Sequence, residues 1–431
     1  MGWKNWAGNQ KCSPIEVAHP SSDAELAAVV KATASRGRTV KVVGSGHSFT
    51  ACALTNGVQV VLDQYKKVTA IDPVACTVTA QAGATIAELN KLLDGRGMAM
   101  PNLGDIAYQT ISGAISTSTH GTGAKLTGIA AQVIGLDLVT GDGSIASCSA
   151  TEEKEIFEAA RVGVGVLGAL STVTLQCVPA FRLHAVEEPI RVDTVLAEIN
   201  ERVDGNEHFE FFWVPHTGWA LTKTNNRTDD PVGGQSRWDF IRDKILLENI
   251  AFGVVTKLGR YRPSAIPRLS KMVPSSGRSE YVKSSYQIFA SPRWVKFYEM
   301  EYAIPRQHVA DALNGVRALI DDNNMKIGFP VEVRFTAPDD IPLSTASGRE
   351  SAYIAVHVAK GMDYEPYFRG VEDVMNKYEG RPHWGKLNFQ TADVLKTRYA
   401  KWDQFQKVRT RLDPGGVFRN DYTDRVLGPI G

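Results

Sequence analysis

Apolar positions in the first 180 residues fall in short runs divided by glycine, serine and threonine. Ser21, Ser22 and Asp23 open a helix that carries Leu26, Val29 and Val30 on its buried side, and residues 35–37 stop it. Residues 39–43 predict a buried strand, broken by Gly44-Ser45-Gly46; residues 58–62 and 77–80 read as further strands, and 85–93 as a short helix. From about Phe181 aromatics become frequent. Alternating apolar and polar positions predict strands over 209–214, 294–303, 331–336 and 353–359, with helical spacing over 307–321 and 367–378. The order predicts an α+β fold in which helices cover one face of an antiparallel sheet. A domain boundary is expected near Pro179, dividing residues 1–180 from 181–431. Residues 395–411 predict one amphipathic helix, ended by Asp413-Pro414-Gly415-Gly416.

At 431 residues the chain exceeds one ordinary core, and length alone suggests two or three domains. The formal net charge of +1 gives no overall field to gather nucleic acid or an anionic membrane. Cys12, Cys52, Cys76, Cys148 and Cys177 are scattered, with no CxxC pair and no zinc spacing. That argues against a disulfide framework or structural metal, and for a reducing compartment. The first residues lack the apolar core of a signal peptide, and Trp6 stands where a myristoylation motif needs Ser or Thr. The longest apolar-leaning stretch, 245–255, is interrupted by Glu248 and Asn249, so no transmembrane segment is expected. These features lead to the expectation of a soluble, cytoplasmic protein.

Gly163, Gly165 and Gly168 match the dinucleotide pattern GxGxxG, but the pattern needs a strand before it and a helix after it. Here 152–161 reads as helix and 169–177 as strand, so the match is rejected. Five other segments can carry chemistry. Val42 to Thr50 runs a strand into Gly44-Ser45-Gly46-His47-Ser48, whose successive N–H groups form a nest for phosphate oxygens; a turn capped by its histidine is the alternative. Gly104-Asp105, then Thr110 to Gly123, hold small and hydroxylic residues that let something flat and polar approach the backbone. The hydroxyls and N–H groups there suit a flavin's ribityl chain and pyrophosphate. In 331–336, strand alternation places Glu332 beside Arg334, either as a hydrogen-bonding pair for a polyol or as a structural ion pair. In 353–359 it places Tyr353, Ala355, His357 and Ala359 on one face. Arg381 to Lys386 packs His383, Trp384 and Lys386 into one loop.

In this order the segments resemble the vanillyl-alcohol oxidase type of FAD protein, and within it the aldonolactone oxidases. The resemblance covers nearly the whole chain. It includes Asn5-Trp6-Ala7, Cys12-Ser13-Pro14, Gly46-His47-Ser48, the run 118–123, Thr172 to Pro179, 331–336 with Asp339-Asp340-Ile341, His383-Trp384 and Leu412-Asp413-Pro414.

The resemblance implies a two-domain FAD-binding fold with an α+β substrate cap, and a segment from about 380 closing back toward the flavin. It implies FAD attached covalently through His47 by an 8α-histidyl bond. Val43, Gly44, Ser45, Gly46, Ser48 and Thr50, with Ser112, Gly113, Ser116, Thr117, His120, Gly121, Thr122 and Gly123, match the loops around the isoalloxazine and pyrophosphate. Gly104, Asp105 and Thr110 join that set. Gly165, Gly168 and Val173 match a segment over the adenine half. Glu332, Arg334, His357 and Lys386 match substrate-pocket residues, and His383 a residue near the flavin ring; His357 and His383 both stand as proton acceptors. Relatives that attach flavin twice use a cysteine near the segment ending His120-Gly121; none is present, so one bond is expected.

The implied reaction is oxidation of the C2 hydroxyl of an aldono-1,4-lactone, L-gulono-1,4-lactone first among them. O2 is the expected acceptor, yielding hydrogen peroxide. A dehydrogenase passing electrons to a cytochrome or quinone, and an oxidase of open alditols, are the alternatives. Ala359 stands where alditol oxidases carry threonine, which favours a cyclic lactone.

Overall fold

The computed structural model describes residues 2–234, 261–272, 277–290 and 295–430; the stretch 245–255 and Trp294 lie outside the described residues. Glu16–Ala18, Val58–Val61 and Val40–Val43 form a three-stranded parallel sheet with Val58–Val61 at its centre. Its valines Val40, Val58 and Val60 pack on Leu26 and Val30 of the helix Asp23–Ser35, whose N-terminal donor at Glu25 is met by the Ser22 side chain. A second, five-stranded antiparallel sheet orders Ile145–Ser149, Val133–Val139, Ala169–Gln176, Thr77–Gln81 and Val68–Asp72. The helix Ile86–Asp94 opens on a reciprocal Thr85–Glu88 capping box.

The glycine- and hydroxyl-rich run begins as a short helix, Ile111–Ser116, with Ile111 and Ile115 fully buried. Residues 163–168 follow the helix Lys154–Ala160 and precede the strand Ala169–Gln176. That is the reverse of the dinucleotide-binding order, as the sequence indicates.

The second half centres on an eight-stranded antiparallel sheet. Its middle strands are His208–Trp213, Val331–Thr336, Ser351–Ala359 and Phe297–Pro305. The last of these begins at Phe297, later than the expected start. One face presents Phe211, Val333, Ile354 and Met300 to a core completed by the helices Val309–Asp322 and Glu365–Asn376. The other face looks toward the glycine-rich run: Gly123 donates to Phe335 O at 2.7 Å and Thr122 Oγ1 to Phe209 O at 2.5 Å.

The C-terminal segment returns to the first half. Trp384, Tyr399, Phe405 and Val426 share a buried cluster with Leu89, Ile111 and Ile156. The single helix expected over 395–411 is a correction: two helices form, Ala392–Leu395 and Trp402–Leu412. Tertiary hydrogen bonds take the intervening turn instead. Arg381 Nε donates to Arg398 O at 2.9 Å, and Lys401 Nζ to Asp340 O at 2.7 Å. Among the described residues no helix is long and apolar enough to cross a membrane.

Candidate active site

Cross-strand register builds a polar band on the sheet face opposite the helices. Arg334 pairs with Tyr353, Glu332 with Ala355, and Glu299 with His357. Alternation then sets Glu210, Glu332, Arg334, Tyr353, His357, Glu299 and Glu301 on one face of four adjacent strands. The predicted Glu332–Arg334 juxtaposition is present, within a larger cluster.

Arg334 is 8 % exposed. Its Nε lies 2.8 Å from Glu210 Oε2 and also contacts Glu332, yet it makes no well-directed hydrogen bond to either. Burial works against the cation, but Glu210 and Glu332 outweigh it and hold the guanidinium protonated far above its usual range. Burial pushes the Glu332 carboxyl up; Arg334 opposes the shift, while Glu210 and Asp105 add to it. Carboxylates outnumber the guanidinium here, so a proton can be held on Glu332 at modest cost.

Beside this lies Lys386, ion-paired to Glu299. Burial alone would raise the Glu299 carboxyl, but Lys386 and then His357 bring it down to about 2. Burial works against the Lys386 ammonium, and Glu299 and Glu301 reverse that, raising it overall. Glu301 sits 3.2 Å from His120 Nε2, and His120 with Lys386 overcomes burial to hold it far below the carboxylate range.

The two candidate proton acceptors differ in their fixed bonds. His357 Nδ1 lies 3.1 Å from Pro330 O. A carbonyl only accepts, so Nδ1 carries a proton and Nε2, 3.5 Å from Glu299 Oε1, is the exchangeable position. His383 Nδ1 accepts the Gly385 N–H at 3.0 Å, which places its proton on Nε2. Burial, opposed by Glu301 and aided by Lys386 and His120, pushes the His383 imidazole down to about 3. His120 stacks on Tyr353 with ring centres 3.5 Å apart, and His383 lies 6.0 Å from His120.

Val43 ends its strand buried, and the turn after it meets this cluster. Phe49 N donates to Gly385 O at 2.7 Å, and Thr50 Oγ1 to Trp384 O at 3.1 Å. A Cβ on Gly385 would sit 3.1 Å from Ser48 Oγ and 3.3 Å from Thr117 Oγ1, so Ser48, Thr117 and His383 converge there. A Cβ on Gly44 would lie 2.1 Å from Thr110 Oγ1, and Gly46 has φ +67. Only glycine permits both the close approach and the left-handed turn. Ser45 is exposed. His47 stacks on Trp6 at 5.7 Å, and its Nδ1 is buried with no hydrogen-bond partner. Burial and then Lys386 hold this imidazole down to about 4, so it is neutral near pH 7.

Several expected cofactor hydroxyls are engaged within the protein. Thr110 accepts Gly113 N, Ser112 donates to Ala82 O at 2.7 Å, and Thr117 donates to Gly113 O at 3.2 Å. The Ser116 backbone carbonyl, not its hydroxyl, accepts Val164 N at 3.0 Å. Thr119 Oγ1, which sequence reasoning passed over, is buried and unpartnered. A Cβ on Gly104 would be 3.1 Å from His120 O, and one on Gly121 2.2 Å from Asn102 Oδ1. Gly168 and Val173 belong with the five-stranded sheet rather than the polar band. The close backbone approaches, with unpartnered His47 Nδ1 and Thr119 Oγ1, fit a large planar cofactor.

Glu210, Glu299 and Glu301 also escaped sequence reasoning. Their signal was available: Glu299 and Glu301 stand two apart in an otherwise apolar strand, hence on one face.

A family profile described as FAD binding domain matches residues 14–149, and one described as D-arabinono-1,4-lactone oxidase matches residues 173–426. The chain is 45% identical over 428 residues to L-gulono-1,4-lactone dehydrogenase of Mycobacterium tuberculosis, covering 99% of each. It is 32% identical to L-gulonolactone oxidase of Bos taurus, covering 99% of this chain and 98% of that one. With the alditol oxidase of a Streptomyces species it shares 30% identity over 98% of each chain. In fold it is similar to a solvent-stable cholesterol oxidase, with a TM-score of 0.82, 18% identity and coverage of 99% and 97%.

Proposed function

The chain belongs to the D-arabinono-1,4-lactone oxidase family of FAD-dependent lactone oxidoreductases acting on CH–OH, and from that premise we propose that it oxidises the C2 hydroxyl of an aldono-1,4-lactone, L-gulono-1,4-lactone first, to the 2-keto lactone. That product enolises to ascorbate. The observation that carries the reading is the polar band: Arg334 and Lys386, both kept cationic by buried carboxylates, beside the His357 imidazole, whose Nδ1 is committed to Pro330 O and whose Nε2 lies 3.5 Å from Glu299 Oε1.

Residues up to about 180 are assigned to FAD and those beyond to the lactone, with the segment from about 380 closing over both. His47 is assigned the covalent bond to FAD. The turn from Val43 to Thr50 and the run to Gly123, with Gly104 and Asp105, hold the isoalloxazine and pyrophosphate; Gly168 and Val173 back the adenine half. When bound, FAD supplies the acceptor for the hydride leaving C2. Arg334 and Lys386 stabilise negative charge on the C2 oxygen as its proton leaves. His357 accepts that proton at Nε2, because Nδ1 is committed to Pro330 O. His383, with its proton on Nε2, donates a hydrogen bond and orients. Glu332 holds Arg334 and a ring hydroxyl.

For the electron acceptor, the 45%-identical relative is named a dehydrogenase and the 32%-identical relatives oxidases. The higher identity favours a dehydrogenase; the expected oxidase activity with peroxide formation is the second reading. The test is anaerobic mixing with L-gulono-1,4-lactone while following the yellow flavin band, then admission of air. Bleaching supports the substrate. Slow recovery in air supports the dehydrogenase, and fast recovery with peroxide the oxidase. A band that never bleaches rejects the lactone.

A further inference from the structure

All five cysteines are free thiols, and two of them meet away from the polar band. Thr77–Gln81 and Ala169–Gln176 run antiparallel, with Thr77 opposite Gln176 at the end of the ladder. One step further, Cys177 N donates to Cys76 O at 2.7 Å, so Cys76 and Cys177 are the next cross-strand pair. Alternation gives both cysteines the face that Val78, Ala80, Val173 and Leu175 bury. Cys177 is 2 % exposed within that core, and Cys76, partly exposed, packs against it. Residues that share such a bond across an antiparallel ladder have Cα atoms about 5.5 Å apart, inside the range of roughly 4.4–6.8 Å that a disulfide spans.

Two further observations fix the pair. Gln176 Nε2 lies 2.9 Å from Ala75 O, 3.1 Å from Cys76 O and 3.2 Å from Cys177 O, so one amide clamps both cysteine backbones. Cys76 also ends the turn between Val68–Asp72 and Thr77–Gln81 at φ +52, a left-handed position that favours glycine or asparagine.

We propose that Cys76 and Cys177 form a reversible disulfide when the protein meets a peroxide. A single reversible bridge is not the disulfide framework that scattered cysteines argue against. The Cys76 thiolate attacks one oxygen of hydrogen peroxide; the O–O bond breaks, leaving a sulfenic acid on Cys76 and releasing water. The Cys177 sulfur then displaces the sulfenic hydroxyl, which leaves as a second water with the Cys177 proton. Two thiols have lost two electrons, and the two peroxide oxygens have gained them. Burial pushes the Cys177 thiol up to about 12, so the second step is slow. Cys177 directly precedes Val178–Pro179, which pairs with Met98–Ala99 and leads into the strand Arg182–Arg191 of the eight-stranded sheet. The bridge therefore pins the chain to the first half at the point where it leaves for the second.

The test uses the full chain, reduced with dithiothreitol, freed of it and treated with excess hydrogen peroxide, so it stands apart from the lactone reading. Thiols counted after unfolding should fall by two, and peptide mapping should join residues 76 and 177. Closing a loop of about 100 residues restricts the unfolded chain, so Tm should rise by roughly 5 °C or more and return on adding dithiothreitol. Cys76→Ser, a change at a partly exposed turn, should keep its remaining four thiols and show no such rise. The proposal is overturned if both cysteines of the treated wild type remain open to alkylation, if Cys76 is oxidised to the sulfinic acid while Cys177 stays free, or if Cys76→Ser loses two thiols as the wild type does.

Discussion

The Gly385 N–H donates to His383 Nδ1 at 3.0 Å and so confines that imidazole's proton to Nε2. With its pKa pushed down to about 3 by burial, His383 stays neutral through the working pH range and has no lone pair to offer. His357 has the opposite polarity. His357→Gln should slow lactone-driven flavin reduction by about 10²–10⁴-fold, the usual worth of a positioned base. His383→Gln should mainly raise the lactone concentration needed. Single-turnover rates of both variants settle the order; a larger rate loss in His383→Gln would reverse the assignment.

The parts of this site on a regular strand were legible, because alternation alone puts Glu332 with Arg334 and Tyr353 with His357. What the sequence could not show is which strands become neighbours. Glu210 reaches Arg334 only because His208–Trp213 pairs with Val331–Thr336, and Glu299 reaches His357 only because Phe297–Pro305 pairs with Ser351–Ala359. The break in the C-terminal helix was equally hidden. It depends on Arg381 and Asp340, far from that turn in sequence.

Glu210 and Glu332 share one guanidinium, so removing one should change the other's titration. Burial, Glu210 and Asp105 raise Glu332 against the pull of Arg334. In Glu210→Gln a like charge is gone and the Glu332 carboxyl should ionise at lower pH. If ionised Glu332 is needed to hold Arg334 and substrate, the acid limb of the kcat/KM profile should move to lower pH in that variant. An unmoved limb would show that another group sets it.

Lys386 and Glu299 make a buried ion pair whose loss should depend on pH. Glu299 falls from 4.5 to about 2, a depressed carboxyl. Its contribution, on the order of 3 kcal/mol, is therefore present above the unfolded value and lost as pH drops through the folded one. Lys386→Met leaves the carboxylate buried without its ammonium, which costs about 3–5 kcal/mol near neutrality. The difference in Tm from wild type should be greatest at pH 7 and shrink as pH falls from 4.5 toward 2. The double variant with Glu299→Gln should regain stability without regaining turnover. An equal Tm difference at all pH values would mean the pair does not bear on stability in this way.

His47 presents a buried Nδ1 with no partner, an arrangement that costs about 1–3 kcal/mol unless something else takes up the atom. The covalent bond proposed above, if made at Nδ1, would remove that cost. The imidazole titrates at about 4, so its lone pair is free at neutral pH and is lost to protonation as pH falls through that value. Flavin-free protein mixed with FAD should thus acquire acid-stable yellow colour readily at pH 7 and progressively less below about pH 4.5. His47→Ala should bind flavin that leaves entirely on acid precipitation, and peptide mapping of the wild type should place the flavin on residue 47. A bond at Nδ1 would also satisfy that atom, so loading with FAD should raise the Tm more in wild type than in His47→Ala. Colour retained in the acid pellet of that variant would place the attachment elsewhere, and an equal gain in Tm would mean that the unpartnered nitrogen is met by something other than the cofactor.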